Sequence, residues 1–228
     1  MDRAAAEPVT LTVWYIDGSP FARIIRATLI EFGIEHRAVE LASYPPAGIA
    51  DLTPAWQVPV IEDNGRRLFG SSLIRDYLHQ TYGTDAGGIS ARLTRAEHHW
   101  QDAQVLTAVE TLTASLVHNF HARWAGVRQA GENRLGGVDI AEREMARAVS
   151  LLDWLEDQAG GDGFWPGALA PTDMALAAAI LWTEAREEIP WRGRPRLERI
   201  VARLDARDSF RKTAPQPWPG SPKGGAQA

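Results

Sequence analysis

A small α/β domain followed by an all-helical domain is the architecture this sequence predicts. Up to about residue 83 the hydrophobic period switches repeatedly between strand-like and helix-like. Beyond a Gly-containing stretch from Gly83 to Ser90, every strong apolar pattern recurs at three or four residues. A length of 228 residues allows one or two buried cores.

Leu11 to Ile16 is a short apolar run with β-branched and aromatic members, which reads as a buried strand. Asp17-Gly18-Ser19-Pro20 is a turn, and Pro20 suits the first position of a helix. Ile24, Ile25, Leu29 and Phe32 form that helix's stripe, and Gly33 is its stop. Arg37 to Leu41 reads as a second strand, and Ser43 to Trp56 as a Pro- and Ala-rich stretch with a weak helix. Asn64-Gly65 between Val58–Glu62 and Arg67–Phe69 predicts a hairpin. Ser71 or Ser72 is the expected cap of a helix with Leu73, Ile74, Tyr77 and Leu78 on its stripe.

In the second half, one long stripe runs from Leu93 through Trp100 to Trp124, and Ala125 to Gly137 reads as a loop. Further helices are expected from Ala141 to Leu155, Asp173 to Glu187 and Arg194 to Ala206, with a short piece near Phe210. The expected units are 9–83, 91–213 and a disordered Pro/Gly/Ala tail at 214–228. Trp100, Trp154 and Trp182 fall on helical stripes and are expected in the core.

Composition excludes several classes. There is no cysteine, so disulfides, cysteine nucleophiles and Cys-ligated metal centres are out. A net charge of −5 argues against a nucleic-acid partner, which wants a basic stripe. The longest apolar run, Met174 to Trp182, falls well short of the roughly 20 residues of a membrane span. The N-terminus lacks a basic start followed by an apolar segment, so the expectation is a cytoplasmic protein with no membrane partner. His118 and His121 share a helix face and His98 and His99 are adjacent, but no carboxylate motif accompanies them. No metal site is expected.

Three strings, in order, are similar to the cytosolic glutathione S-transferase family, in its serine-type, bacterial-like form. They are Gly18-Ser19-Pro20-Phe21-Ala22-Arg23, Leu52 through Ile61, and Ser71-Ser72-Leu73-Ile74-Arg75-Asp76-Tyr77-Leu78. Asp173-Met174-Ala175-Leu176-Ala177 resembles a further signature in the helical part. The resemblance implies a thioredoxin-like glutathione-binding domain, an all-helical domain lining an apolar second-substrate pocket, and a homodimer without metal. It further implies transfer of glutathione, as co-substrate, to a small hydrophobic electrophile in detoxification.

On this resemblance Ser19 is the catalytic hydroxyl, which would donate to the sulfur anion of bound glutathione. Read alone, Ser19-Pro20 is a plain helix cap. Tyr15 is a rival hydroxyl at the end of the first strand. Pro59 matches the family's cis-proline, Val58 would pair with the cysteinyl backbone, and Ser71 would hold the γ-glutamyl carboxylate. Gln57 and the Trp56 indole are neutral donors for the glycine carboxylate. Tyr15, Val105, Leu112, Leu116, Phe120 and Trp124 are second-substrate candidates.

Three positions differ from the family pattern. Gly70 stands where Glu or Gln is usual, no Lys or Arg lies between Arg37 and Arg66, and Ala170 replaces a capping Ser or Thr. The first two leave a second reading open, a non-catalytic binding or interaction module on the same fold.

Overall fold

The computed structural model describes residues 11–41, 47–84, 89–124, 134–186 and 189–216. Its first part contains β1 (Leu11–Tyr15), α1 (Pro20–Glu31), β2 (His36–Glu40), α2 (Ile49–Leu52), β3 (Val60–Asp63), β4 (Arg66–Phe69) and α3 (Ser71–Tyr82). The sheet order is β2-β1-β3-β4, with β1 and β2 parallel and the other pairs antiparallel. Chain signals explain the boundaries. Gly33 takes φ +65°, and the Gly33 and Ile34 N–H groups donate back to Ile30 and Leu29 carbonyls, which closes α1 in a Schellman turn. Asn64 and Gly65 both take positive φ, as a tight hairpin turn requires.

The buried Asp63 carboxylate joins hairpin to helix. It accepts from Tyr77 Oη at 2.7 Å and from Tyr82 Oη. α1 packs against α3, and with β1 it supplies Ile24, Ile25, Leu29, Leu11 and Val13 to the core.

The second part is helical: α4 (His99–Trp124), α5 (Ile140–Gln158), α6 (Pro171–Arg186), α7 (Pro195–Asp205) and α8 (Asp208–Lys212). A hairpin of β5 (Arg134–Leu135) and β6 (Val138–Asp139), turning at Gly136-Gly137, begins within the stretch read as loop and ends just beyond it. Residues 125–133 of that stretch lie outside the described residues. α6 is buried nearly throughout and packs against α1, α4 and α7. One core cluster runs through both parts.

Four expectations need correction. α4 begins at His99, after a short 3₁₀ turn at 96–98, so Leu93 and Ala96 precede it. The cause is Asp102, whose carboxylate takes the Arg95 backbone N–H and guanidinium and fixes the entry of the chain. Trp100 is 82% exposed, not core, whereas Trp182 is buried and Trp154 packs at the core edge. Neither Ser71 nor Ser72 caps α3, because Gly70 takes the cap position and Ser72 Oγ donates to Glu110. Residues 214–216 are not a free tail: the Gln216 N–H donates to Asp17 and the Gln216 carbonyl accepts from Arg186. Residues 217–228 lie outside the described residues.

Candidate active site at the end of the sheet

Strand register gathers three of the candidate residues. Trp14 pairs with Val60, and Val60 with Phe69. Both ladders end there, so the chain leaves β1 towards Ile16, enters β3 from Val58-Pro59 and leaves β4 towards Ser71 at the same end. The turn after Ile16 leads directly to Ser19. Ser19, Val58 and Ser71 therefore converge on one end of the sheet, each from a different crossing of the chain.

Ser19 is half-buried and caps α1. Its N–H donates to the Ile16 carbonyl at 3.0 Å and its carbonyl accepts from the Arg23 N–H at 2.9 Å. Its Oγ accepts from the Ala22 N–H at 3.2 Å. The hydroxyl proton has no acceptor among the described residues. Capping and donation use opposite sides of one oxygen, so the two roles coexist. The positive end of α1 adds a field that favours an anion there.

The Val58–Pro59 peptide bond is cis, and Pro59 is buried beneath the start of β3. Neither the N–H nor the carbonyl of Val58 is used by another described residue, which leaves a short free backbone edge. Gln57 and Trp56 are exposed, the latter at 68% with φ +54°. Of the next cations in sequence, Arg66 lies 5.6 Å over the Tyr77 ring and Arg67 is paired with Glu62. At the same end of the sheet, α3 starts at half-buried Ser71 with no side-chain cap. Its first N–H groups are thus open to an anionic ligand.

Tyr15 is turned away. Its phenol reaches Glu40 on β2 at 3.4 Å, and Arg26 stacks on its ring at 3.9 Å. Burial raises its pKa against the opposing pull of Arg26. Of the other second-substrate candidates, Val105, Leu112 and Leu116 are buried in the core. Phe120 is half-buried and Trp124 is 46% exposed, and their rings lie 6.3 Å apart and nearly parallel. Phe120 also meets Trp182 edge-on at 5.4 Å. Trp182, expected only as core, donates its indole N–H to the Gly18 carbonyl at 2.8 Å. The sequence signals Trp182 as buried, but nothing local names a partner 164 residues away.

Residues 18–81 match the family model of the glutathione S-transferase N-terminal domain. This region is a glutathione S-transferase N-terminal domain. The whole chain has the fold of solved glutathione S-transferases. One from Methylobacterium radiotolerans, in complex with glutathione sulfonate, superposes with TM-score 0.75 at 21% identity, covering 90% of this chain and 94% of that one. Another, from Methylobacillus flagellatus with glutathione bound, gives 0.73 at 21% identity, covering 90% and 100%. A glutathione S-transferase from Sinorhizobium meliloti gives 0.68 at 25% identity, covering 94% and 98%. A search of curated protein sequences finds no match.

Within this glutathione S-transferase fold, the departures seen in the sequence acquire physical reasons. Gly70 has φ +88°, a conformation that side-chain-bearing residues rarely adopt, although a Cβ there would meet nothing within 4 Å. Ala170 leaves α6 without a hydroxyl cap, and Asp173 takes over, accepting from the Ala170 N–H at 2.7 Å and the Phe164 N–H at 3.0 Å. His118 is exposed. His121 is half-buried with its pKa lowered by burial and by His118. No group of three metal-ligating side chains occurs among the described residues, and none of their helices is long and apolar enough to cross a membrane.

Proposed function

We propose that this chain is a glutathione transferase, in which the Ser19 hydroxyl activates the glutathione thiol for attack on a small apolar electrophile. The observation that carries this reading is the Ser19 oxygen, fixed by the Ala22 N–H at the start of α1, with its proton uncommitted among the described residues. Glutathione enters extended. Its cysteinyl backbone pairs with Val58 in the manner of an added strand. Its γ-glutamyl carboxylate lies at the open N-terminus of α3 over Ser71, and its glycine carboxylate takes neutral donors from Gln57 and Trp56. Solved structures of the same fold that hold glutathione sulfonate or glutathione support glutathione as the ligand.

A free thiol has a pKa of about 8.5 and is only a few per cent ionised at pH 7. A hydrogen bond to a charged group contributes about 1.5–3 kcal/mol. That lowers the thiol pKa by about one to two units, enough to make the thiolate a major species. The thiol proton leaves to solvent, the thiolate forms a carbon–sulfur bond with the electrophile, and the leaving group departs with its electron pair. Phe120 and Trp124 supply the apolar wall for that partner.

The working protein is a cytoplasmic homodimer with a detoxifying role. Phe69 on β4, Leu73 on α3 and Trp100 on α4 are 42%, 54% and 82% exposed, and a second copy of the chain would cover them. Ser72 reaches from α3 to Glu110 on α4, so both helices belong to one continuous surface.

Calorimetric titration with glutathione tests the reading. Binding tighter than millimolar is expected, weakened about tenfold in Ser71→Ala. Ser19→Ala should bind glutathione with little change, yet lose about tenfold or more in conjugation, with the acid limb of the pH–rate profile raised by about one to two units. An absence of glutathione binding would favour the non-catalytic module, for which Gly70 and the missing cation speak.

A further inference from the structure

The Ser19 hydroxyl is useful only if its direction is held, and its own hydrogen bonds are all local, to Ile16, Ala22 and Arg23. The peptide plane joining Gly18 to Ser19 is pinned from both sides. Its N–H donates to the Ile16 carbonyl at 3.0 Å, within the turn. Its carbonyl accepts the Trp182 indole N–H at 2.8 Å, from the C-terminal part of α6. Rotation of that plane would swing the Ser19 Cα and carry its Oγ with it. Trp182 is only 2% exposed and is held edge-on by Phe120, so the donor itself has little freedom. A second tie from the C-terminal half meets the same turn, where Asp17 accepts the Gln216 N–H.

We propose that Trp182 is a positioning residue for the glutathione reaction: its indole N–H sets the Gly18–Ser19 peptide plane and thereby aims the Ser19 hydroxyl at the thiol. This rests on the assignment of Ser19 made above. The helical domain then contributes to thiol activation without touching glutathione, through one hydrogen bond that crosses the two domains.

The test is Trp182→Phe, which keeps a ring against Phe120 and removes the donor. Loss of one neutral hydrogen bond predicts a fall of about threefold to tenfold in kcat, with the acid limb of the pH–rate profile raised by about half a unit to one unit. The glutathione affinity measured by calorimetry should stay within about twofold, since no glutathione contact is removed. The double variant Ser19→Ala/Trp182→Phe should be no slower than Ser19→Ala alone, because Trp182 acts through Ser19. A purely structural role would instead give additive losses and an unmoved acid limb, and either result overturns the proposal. If Ser19→Ala leaves the acid limb unmoved, the transferase reading of Ser19 fails, and this proposal with it. If Ser19→Ala moves it and Trp182→Phe does not, only the role of Trp182 fails. Should Trp182→Phe not fold, the unaltered protein gives the answer by nuclear magnetic resonance. Glutathione should shift the Trp182 indole N–H signal, and a signal that stays in place overturns the proposal.

Discussion

Asp173 is fully buried near the start of α6, with each carboxylate oxygen taking a backbone N–H, from Phe164 and from Ala170. Burial nonetheless pushes its pKa up to about 6, against those two bonds and Arg203. A raised folded pKa means that the folded state holds the proton more tightly than the unfolded chain does. The resulting contribution is fully present below the unfolded value near 3.8 and lost as pH rises through 6. The difference corresponds to about 3 kcal/mol. His79 opposes it: burial lowers its pKa to about 4, so its contribution is present above 6.5 and lost as pH falls. The comparison of wild type with Asp173→Asn isolates the carboxylate. The amide can accept only one of the two N–H bonds, so Asp173→Asn should cost about 1–3 kcal/mol at pH 7. Urea unfolding between pH 7 and 4 should show that gap widening as pH falls, and a constant gap would refute the titration. The helix-start acid is visible in the sequence, since Asp173 follows Pro171 at the expected spacing. Its bond to Phe164 is not, because it depends on how the 160–167 loop returns over the helix end. Ser19 and Trp182 divide in the same way: the cap is local, and the indole's partner is set by packing between distant elements.

Elements whose ends are written locally were legible: α1 between Pro20 and Gly33, and the hairpin at Asn64-Gly65. The start of α3 was misread because serine is a better capping residue than glycine in general, while the sharp exit from β4 demands a positive φ at position 70. The start of α4 was misread because its apolar stripe continues through residues that Asp102 pulls out of the helix. Gly70→Gln tests what the glycine at α3 does for the site. The side chain has space, but φ +88° is unfavourable for it. The substitution should lower stability by about 1–3 kcal/mol in urea unfolding. It should also tighten glutathione binding severalfold by calorimetry, since the amide carbonyl can accept from the γ-glutamyl ammonium. A stability loss with no gain in affinity would mean that the ammonium lies elsewhere.

Across the whole molecule, the division into two units visible along the chain is not a division of the core. Leu11, Ile24 and Ile74 from the first part share one cluster with Val109, Leu176 and Phe210 from the second. Arg23 shows how closely the parts depend on each other. It is 2% exposed, donates to the Phe210 carbonyl at 3.0 Å and lies 5.1 Å over the Phe210 ring. Burial lowers its pKa to about 10, and two of its nitrogens have no acceptor. The aromatic face of Phe210 is therefore part of what makes a buried cation tolerable one turn after Ser19. Phe210→Ala should remove about 3–5 kcal/mol through lost burial and the cavity left behind. Because the same ring supports α1, the loss should reach the Ser19 turn as well, and on the proposed function conjugation should weaken although residue 210 is in the last helix. Far-ultraviolet circular dichroism and tryptophan fluorescence should report one shared unfolding transition in both the parent and the variant, displaced together. Separation of the two signals in the variant would show that α1 and α8 are joined only by contact, and that the first part keeps its site without the second.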